Sequence, residues 1–337
     1  MPQHGDREQL RFVTDFPEPT PGADELLIRV HATSLNQVDL VVRRGYPGIG
    51  IPLPHIMGGD IAGEVVARGA AVTSPPLGAR VVAYPIVSCG DCPLCREGRP
   101  NLCLNWRYFG LHLKGGYAEF AVVPAANALP LPDSLAYESA AALPVAGLTA
   151  WHALTSVGEL RAGQTFFIWG GTGGMGSIAI QIAKQLGATV IATGGTAEKL
   201  DRMRSLGADY ALNRFSDDIP ARVREIAPNG VDLVMNYVGP QTFPASFEML
   251  KKGGTMLLCG IITGRETAVS LHQSYLRHLN LKGLYLGTQQ ELQELLNLVA
   301  SGAVRPYIDS VLRLDEAPEA HRRLESGEFF GKIILKV

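Results

Sequence analysis

The chain has 337 residues, 46% of them hydrophobic and 18% charged, with a formal net charge of −2. That length exceeds what one hydrophobic core usually fills, so two domains are expected. The near-balance of charge leaves no basic footprint for nucleic acid and no acidic tail.

The opening stretch MPQHGDREQL is polar and lacks the apolar run of a secretory signal. Residues 10–125 hold short β-branched runs, LLIRVHA, IAGEVVARG, ARVVAYPIV and YAEFAVV, broken by Gly and Pro, which predicts a β-rich domain of short strands. From residue 134 the texture turns Ala- and Leu-rich in SLAYESAAALPVAGLTAWHAL, with Ser134 as the expected helix N-cap. Strand and helix signals then alternate. TFFIWG precedes a glycine loop and GSIAIQIAKQLG, TVIATG precedes TAEKLDRMRSLG, and ADYALN, VDLVMNYVG, GTMLLCGI and LNLKGLYLG continue the series. Alternation of this kind predicts a doubly wound parallel sheet. After Gly287 a helix, QQELQELLNLVASG, leads to short strands ending in GKIILKV, whose texture returns to that of the first domain. The expected organisation is one domain of 1–133 with 288–337, and a second of 134–287 inserted into it. The uncharged span 162–183 has the length of a membrane helix, but its glycines break it into a strand, a loop and a helix, so no membrane segment is expected.

Four of the five cysteines, Cys89, Cys92, Cys95 and Cys103, are spaced C-x2-C-x2-C-x7-C within SCGDCPLCREGRPNLC. Without an export signal the protein is expected in the cytoplasm, where clustered thiols favour a metal over disulfides. Four thiolates close a tetrahedral zinc shell and leave no position for substrate, so a structural Zn2+ is expected.

Gly171, Thr172, Gly173, Gly174, Met175 and Gly176 form G-x-G-x-x-G directly after an apolar strand and at the opening of a helix, the context of a dinucleotide site. The free N–H groups and positive dipole end of such a helix receive the pyrophosphate. An NAD site carries Asp or Glu at the end of the next strand. Here that strand ends TVIATGGTAEK, with Gly194 or Gly195 where the acid would stand. Thr193, Thr196 and Lys199 offer hydroxyls and a positive charge instead, and Arg214 lies just past the following strand, so NADP(H) is the expected cofactor.

Taken together, SLNQVDLVVRRG, GGDIAGEVV, GARVVAYP, the four-cysteine lobe, GGYAEFAVVP, AALPVAGLTAW, the glycine fingerprint and GKIILKV resemble the medium-chain dehydrogenase/reductase superfamily of zinc alcohol dehydrogenases and quinone oxidoreductases. The resemblance implies an α/β architecture: a GroES-like catalytic domain with an inserted Rossmann domain, the active site in the cleft between them. It also implies a homodimer formed through the last Rossmann strand, near Leu281 to Gly287. The three positions that hold the family's catalytic zinc fall on Asn36, Gly59 and Val145, so all three ligands are missing. Thr149, in GLTAW, matches the family position that contacts the nicotinamide.

The expected activity is therefore NADPH-dependent hydride transfer to a quinone or an α,β-unsaturated carbonyl without a catalytic zinc. Asn36 and Tyr46 are the candidate donors to the carbonyl oxygen. The competing readings are an alcohol dehydrogenase with an atypical metal site, and a low-turnover NADPH-binding protein. A small carbonyl or quinone is the expected partner, with no nucleic acid and no membrane.

Overall fold

The strand Glu25–Ser34, ELLIRVHATS, is buried along most of its length, because it pairs antiparallel with Ala62–Arg68, Phe120–Pro124 and Lys332–Lys336. The computed structural model describes residues 1–46 and 48–337. It contains two units, Met1–Leu148 with Thr288–Val337, and Thr149–Gly287.

In the first unit the sheet runs Ile308–Arg313, Lys332–Lys336, Glu25–Ser34, Ala62–Arg68, Arg80–Ala83, Ala128–Pro130. Leu26, Ile28, Val30, Ile61, Val65, Val81 and Val123 form its apolar core, each worth about 1.5–3 kcal/mol when fully buried. A bulge between Val30 and Ala32 faces Gly63, where a Cβ would overlap the Arg29 carbonyl, so the close strand approach requires glycine. The helix Ala317–Ser326 sets Ala317, Ala320 and Leu324 against Leu35, Leu40, Ile333 and Leu335. Those contacts fix the end of the central strand, where the polar site begins.

The expected cap at Ser134 is corrected by the structure. Leu135 N–H bonds the Pro132 carbonyl at 3.0 Å in a turn, and the helix starts only at Tyr137, with Ala136 at its cap. The sequence texture changes at residue 134, whereas the division between units falls at Leu148 and Thr149. Tyr137–Ala141 belongs to the first unit, where the Tyr137 ring stacks on His31 at 4.4 Å.

The second unit is one parallel sheet in the order Tyr210–Asn213, Thr189–Gly194, Thr165–Ile168, Val231–Asn236, Leu250–Leu258, Asn280–Gly283. TFFI, TVIATG and VDLVMN are buried almost continuously, as strands covered on both faces must be. The order reverses direction at Thr165–Ile168, and ligands of such sheets bind at that point, beyond the carboxyl ends of the strands. Among the described residues no helix is long and apolar enough to cross a membrane.

Candidate functional site

Three constellations carry chemistry: a glycine cradle in the second unit, and a cysteine lobe and a buried polar network in the first. In the cradle, strand Thr165–Ile168 passes through Gly170 at φ +65° into helix Gly174–Gln185, whose cap is Gly173. A Cβ on Gly171 would lie 2.6 Å from the Met203 sulfur, and one on Gly176 would lie 2.5 Å from the Gly170 carbonyl. Neither position admits a side chain. With no side chain at the cap, the first-turn N–H groups of a 12-residue helix remain for an anion. The cradle thus fits a dinucleotide pyrophosphate.

Thr193, expected at the cofactor, stands behind the glycine turn. It is fully buried; its Oγ1 accepts the Gly170 N–H at 3.0 Å and its carbonyl accepts the Gly171 N–H at 2.9 Å. The hydroxyl shapes the glycine turn from inside. Tyr237, which sequence reasoning missed, donates its phenol hydrogen to the Gly170 carbonyl on the other side. Thr149 is buried and donates to the Tyr285 carbonyl at 3.4 Å.

At the carboxyl end of Thr189–Gly194, Thr196 caps helix Ala197–Ser205 by accepting the Lys199 N–H at 3.3 Å. Arg214 N–H bonds the Gly194 carbonyl at 2.9 Å, and its guanidinium lies over the Phe215 ring at 4.5 Å. A Cβ on Gly195 would come within 3.7 Å of that guanidinium. A cation, and not a carboxylate, therefore stands at the end of this strand.

In the lobe the four sulfurs of Cys89, Cys92, Cys95 and Cys103 lie within 4.8 Å of one another. The Cys92 and Cys95 sulfurs are 3.5 Å apart, those of Cys92 and Cys103 4.0 Å, and those of Cys89 and Cys103 3.4 Å. Zinc–sulfur bonds of about 2.3 Å in a tetrahedron require sulfurs about 3.8 Å apart, so this donor set fits zinc. Cys89 and Asn105 N–H groups point at the Cys103 sulfur at 3.2 and 3.3 Å, and the Leu104 N–H helps draw the Cys92 thiol down to about 6. Backbone amides thus favour the Cys92 thiolate, whereas loss of solvent pushes the Cys95 thiol up to about 12.

The third constellation lies where the resemblance would place a catalytic metal. Asp60 is fully buried. Its Oδ2 accepts from the Ser34 hydroxyl, from Asn36 Nδ2 at 2.7 Å and from Lys332 Nζ at 3.5 Å, and its Oδ1 accepts the Val145 N–H at 3.0 Å. Lys332 Nζ also donates to the Leu35 carbonyl at 2.7 Å and to Asn36 Oδ1 at 2.8 Å. Burial lowers the Lys332 pKa, against the pull of Asp60 and Asp39. At Gly59 a Cβ would overlap the Tyr108 hydroxyl, so a larger ligand side chain has no room. Asn36, Gly59 and Val145 supply no thiolate or imidazole, and an ammonium sits among them; these residues do not fit an open zinc site.

A second buried chain adjoins it. Asp39 accepts the Asn36 N–H at 2.8 Å and the Tyr117 hydroxyl at 3.4 Å, Tyr117 meets His321 Nε2 at 3.5 Å, and Arg43 meets His321 Nδ1 at 3.1 Å. Arg43 can only donate, so His321 accepts at Nδ1 and carries its hydrogen on Nε2, toward Tyr117. Burial lowers His321 to about 3 and raises Asp39 to about 7. Tyr46 follows the helix Gln37–Arg44 and is half-buried; its carbonyl accepts the Ile49 N–H at 3.1 Å.

One unit is thus a parallel sheet with a glycine cradle, and the other is β-rich and carries a four-cysteine lobe. Residues 22–133 match the alcohol dehydrogenase GroES-like domain and residues 174–301 the zinc-binding dehydrogenase family. An alcohol dehydrogenase of Geobacillus stearothermophilus is 32% identical over 315 residues, covering 93% of this chain and 91% of its own. The crystal structure of an NAD-dependent alcohol dehydrogenase superposes with a TM-score of 0.95 at 37% identity, covering 100% of this chain and 98% of that one. A crotonyl-CoA carboxylase/reductase, AntE V350A in complex with NADP, superposes with a TM-score of 0.88 at 26% identity, covering 95% and 88%. The chain belongs to the medium-chain dehydrogenase/reductase superfamily. It is an oxidoreductase of that superfamily with an NAD(P) cradle and a lobe suited to zinc.

Proposed function

We propose that the protein reduces quinones or α,β-unsaturated carbonyls with NADPH and uses no catalytic metal. The observation that carries this reading is the Lys332–Asp60 pair, joined through Asn36, in the place of a metal-ligand set. Bound NADPH supplies the hydride. Gly171 to Gly176 hold its pyrophosphate, with Thr149 assigned to the nicotinamide, and Arg214, beside Gly195, takes the 2′-phosphate with Lys199 and Thr196 nearby. Asn36 offers a Nδ2–H to the carbonyl oxygen as negative charge develops there, and Tyr46, on the following loop, is the second candidate donor. The cysteine lobe holds its one Zn2+ away from the reaction. The similar structure bound to NADP acts, by its name, on an enoyl thioester, which supports a conjugated carbonyl.

We place the work in the cytoplasm and the functional unit as a pair. The edge strand Asn280–Gly283 is exposed throughout, and Leu271, Tyr275 and Tyr285 are 78%, 63% and 46% exposed. An open edge with apolar neighbours favours pairing with a second copy. Leu281→Asp is expected to halve the mass measured by light scattering; an unchanged mass refutes this interface.

The test of activity is NADPH oxidation with menadione, cyclohex-2-enone, crotonyl-CoA and simple aldehydes, run beside zinc analysis. Turnover of a quinone or enone at one zinc per chain supports the reading. Two zinc ions per chain with turnover confined to alcohols and aldehydes overturns it.

A further inference from the structure

Asn36 is the candidate donor, yet an unrestrained carboxamide presents its oxygen as readily as its amide nitrogen. Here the two ends have different and incompatible neighbours. Oδ1 lies 2.8 Å from Lys332 Nζ, which can only donate, and Nδ2 lies 2.7 Å from the Asp60 carboxylate, which can only accept. Turning the amide over would set NH2 against ammonium and oxygen against carboxylate, replacing two charge-assisted bonds with two repulsions.

We infer that Lys332 and Asp60 are positioning residues which lock the Asn36 carboxamide in one orientation and so keep its second Nδ2–H turned toward substrate. This rests on the proposed reduction, with Asn36 as its donor. Neither partner can do the chemistry itself. Lys332 spends its hydrogens on the Leu35 carbonyl, Asn36 and Asp60, while Asp60 already accepts from Ser34, Asn36, Lys332 and the Val145 N–H. Exposure ranks them the same way: Asp60 and Ser34 are 0% exposed, Lys332 3% and Asn36 9%. One amide hydrogen is spent on Asp60. The other diverges from it by the fixed trigonal angle at nitrogen. The ammonium on Oδ1 also draws electron density from the nitrogen, which strengthens that remaining donor.

Lys332→Met alone strands a buried carboxylate and can fail to fold, so the decisive protein is Lys332→Met/Asp60→Asn, which removes both charges together. Two measurements on the NADPH complex test the inference. The first is hydrogen exchange of the Asn36 side-chain amide, identified by the signal that disappears in Asn36→Ala. It is expected to be slow in the wild type and at least about tenfold faster in the double variant, as befits the loss of charge-assisted bonds. The second is the kcat for menadione and cyclohex-2-enone. The double variant is expected to lose about as much kcat as Asn36→Ala, with KM for NADPH nearly unchanged, and adding Asn36→Ala to it is expected to cost little more, because residues acting as one unit are not additive.

If the double variant keeps both slow exchange and wild-type kcat while Asn36→Ala loses turnover, the positioning role is refuted and Asn36 stands. Should Asn36→Ala turn over normally, or the wild type reduce neither probe, the proposed donor or reaction fails instead. The exchange experiment then still decides whether the two charges lock the amide.

Discussion

Lys332→Met on its own is expected to be among the most damaging single substitutions in the first unit. The side chain is 3% exposed, and its partner Asp60 is fully buried. Methionine keeps most of the volume, so the loss is electrostatic: Asp60 retains Ser34, Asn36 and the Val145 N–H but no compensating charge. The Leu35 carbonyl and Asn36 Oδ1 lose their donor as well. Breaking a buried ion pair from one side costs about 3–5 kcal/mol, a large share of the roughly 5–15 kcal/mol that holds a domain folded. With a urea slope of about 2–3 kcal/mol per molar, the unfolding midpoint followed by circular dichroism should fall by about 1–2 M. Lys332→Met/Asp60→Asn should recover part of that loss, since the stranded charge is then gone. A fall in Lys332→Met worth less than about 1 kcal/mol, or a double variant less stable than the single one, would refute the reasoning.

Three further outcomes are expected. Cys92→Ser should release the zinc and lower the melting temperature while NADPH binding, read by fluorescence quenching, persists; intact stability with lost turnover would contradict a structural lobe. Arg214→Ala should raise the NADPH dissociation constant about tenfold or more, as loss of a bidentate charge-assisted contact implies, and leave NADH nearly unchanged; equal effects on both cofactors would remove the 2′-phosphate assignment. Asp39, raised by burial to about 7, binds a proton in the folded state that the unfolded chain has released above its ordinary carboxyl value near 3.9. Wild-type stability should therefore fall relative to Asp39→Asn as pH rises from 5 to 7 and level off above that. A difference in melting temperature that stays constant between pH 5 and 8 would show that Asp39 does not titrate there.

The cradle was legible because its signals are local: a buried strand, glycines at fixed offsets and a helix opening lie within a few residues of each other. The cysteine lobe was legible for the same reason, since its four ligands span 15 residues, 89–103. At Thr193 the apolar strand end shows a hydroxyl but not the direction it faces, and the Gly170 N–H draws that hydroxyl inward. Tyr237 gave no motif at all; its contact with the Gly170 carbonyl joins two strands 67 residues apart.

By itself the sequence determined the two kinds of domain, the glycine cradle, the zinc-type lobe and the lack of three catalytic ligands at Asn36, Gly59 and Val145, each being a matter of residue identity at short spacing. What stands in that place was decided only by tertiary structure. Lys332 and Asn36 are 296 residues apart, and nothing near either one in the chain announces the other. They meet because Ser34 pairs with Ile334 in an antiparallel ladder, and Leu35 N–H continues it to the Ile333 carbonyl at 3.1 Å. One more step along that register sets Lys332 opposite Asn36, where burial obliges the ammonium to find Asp60.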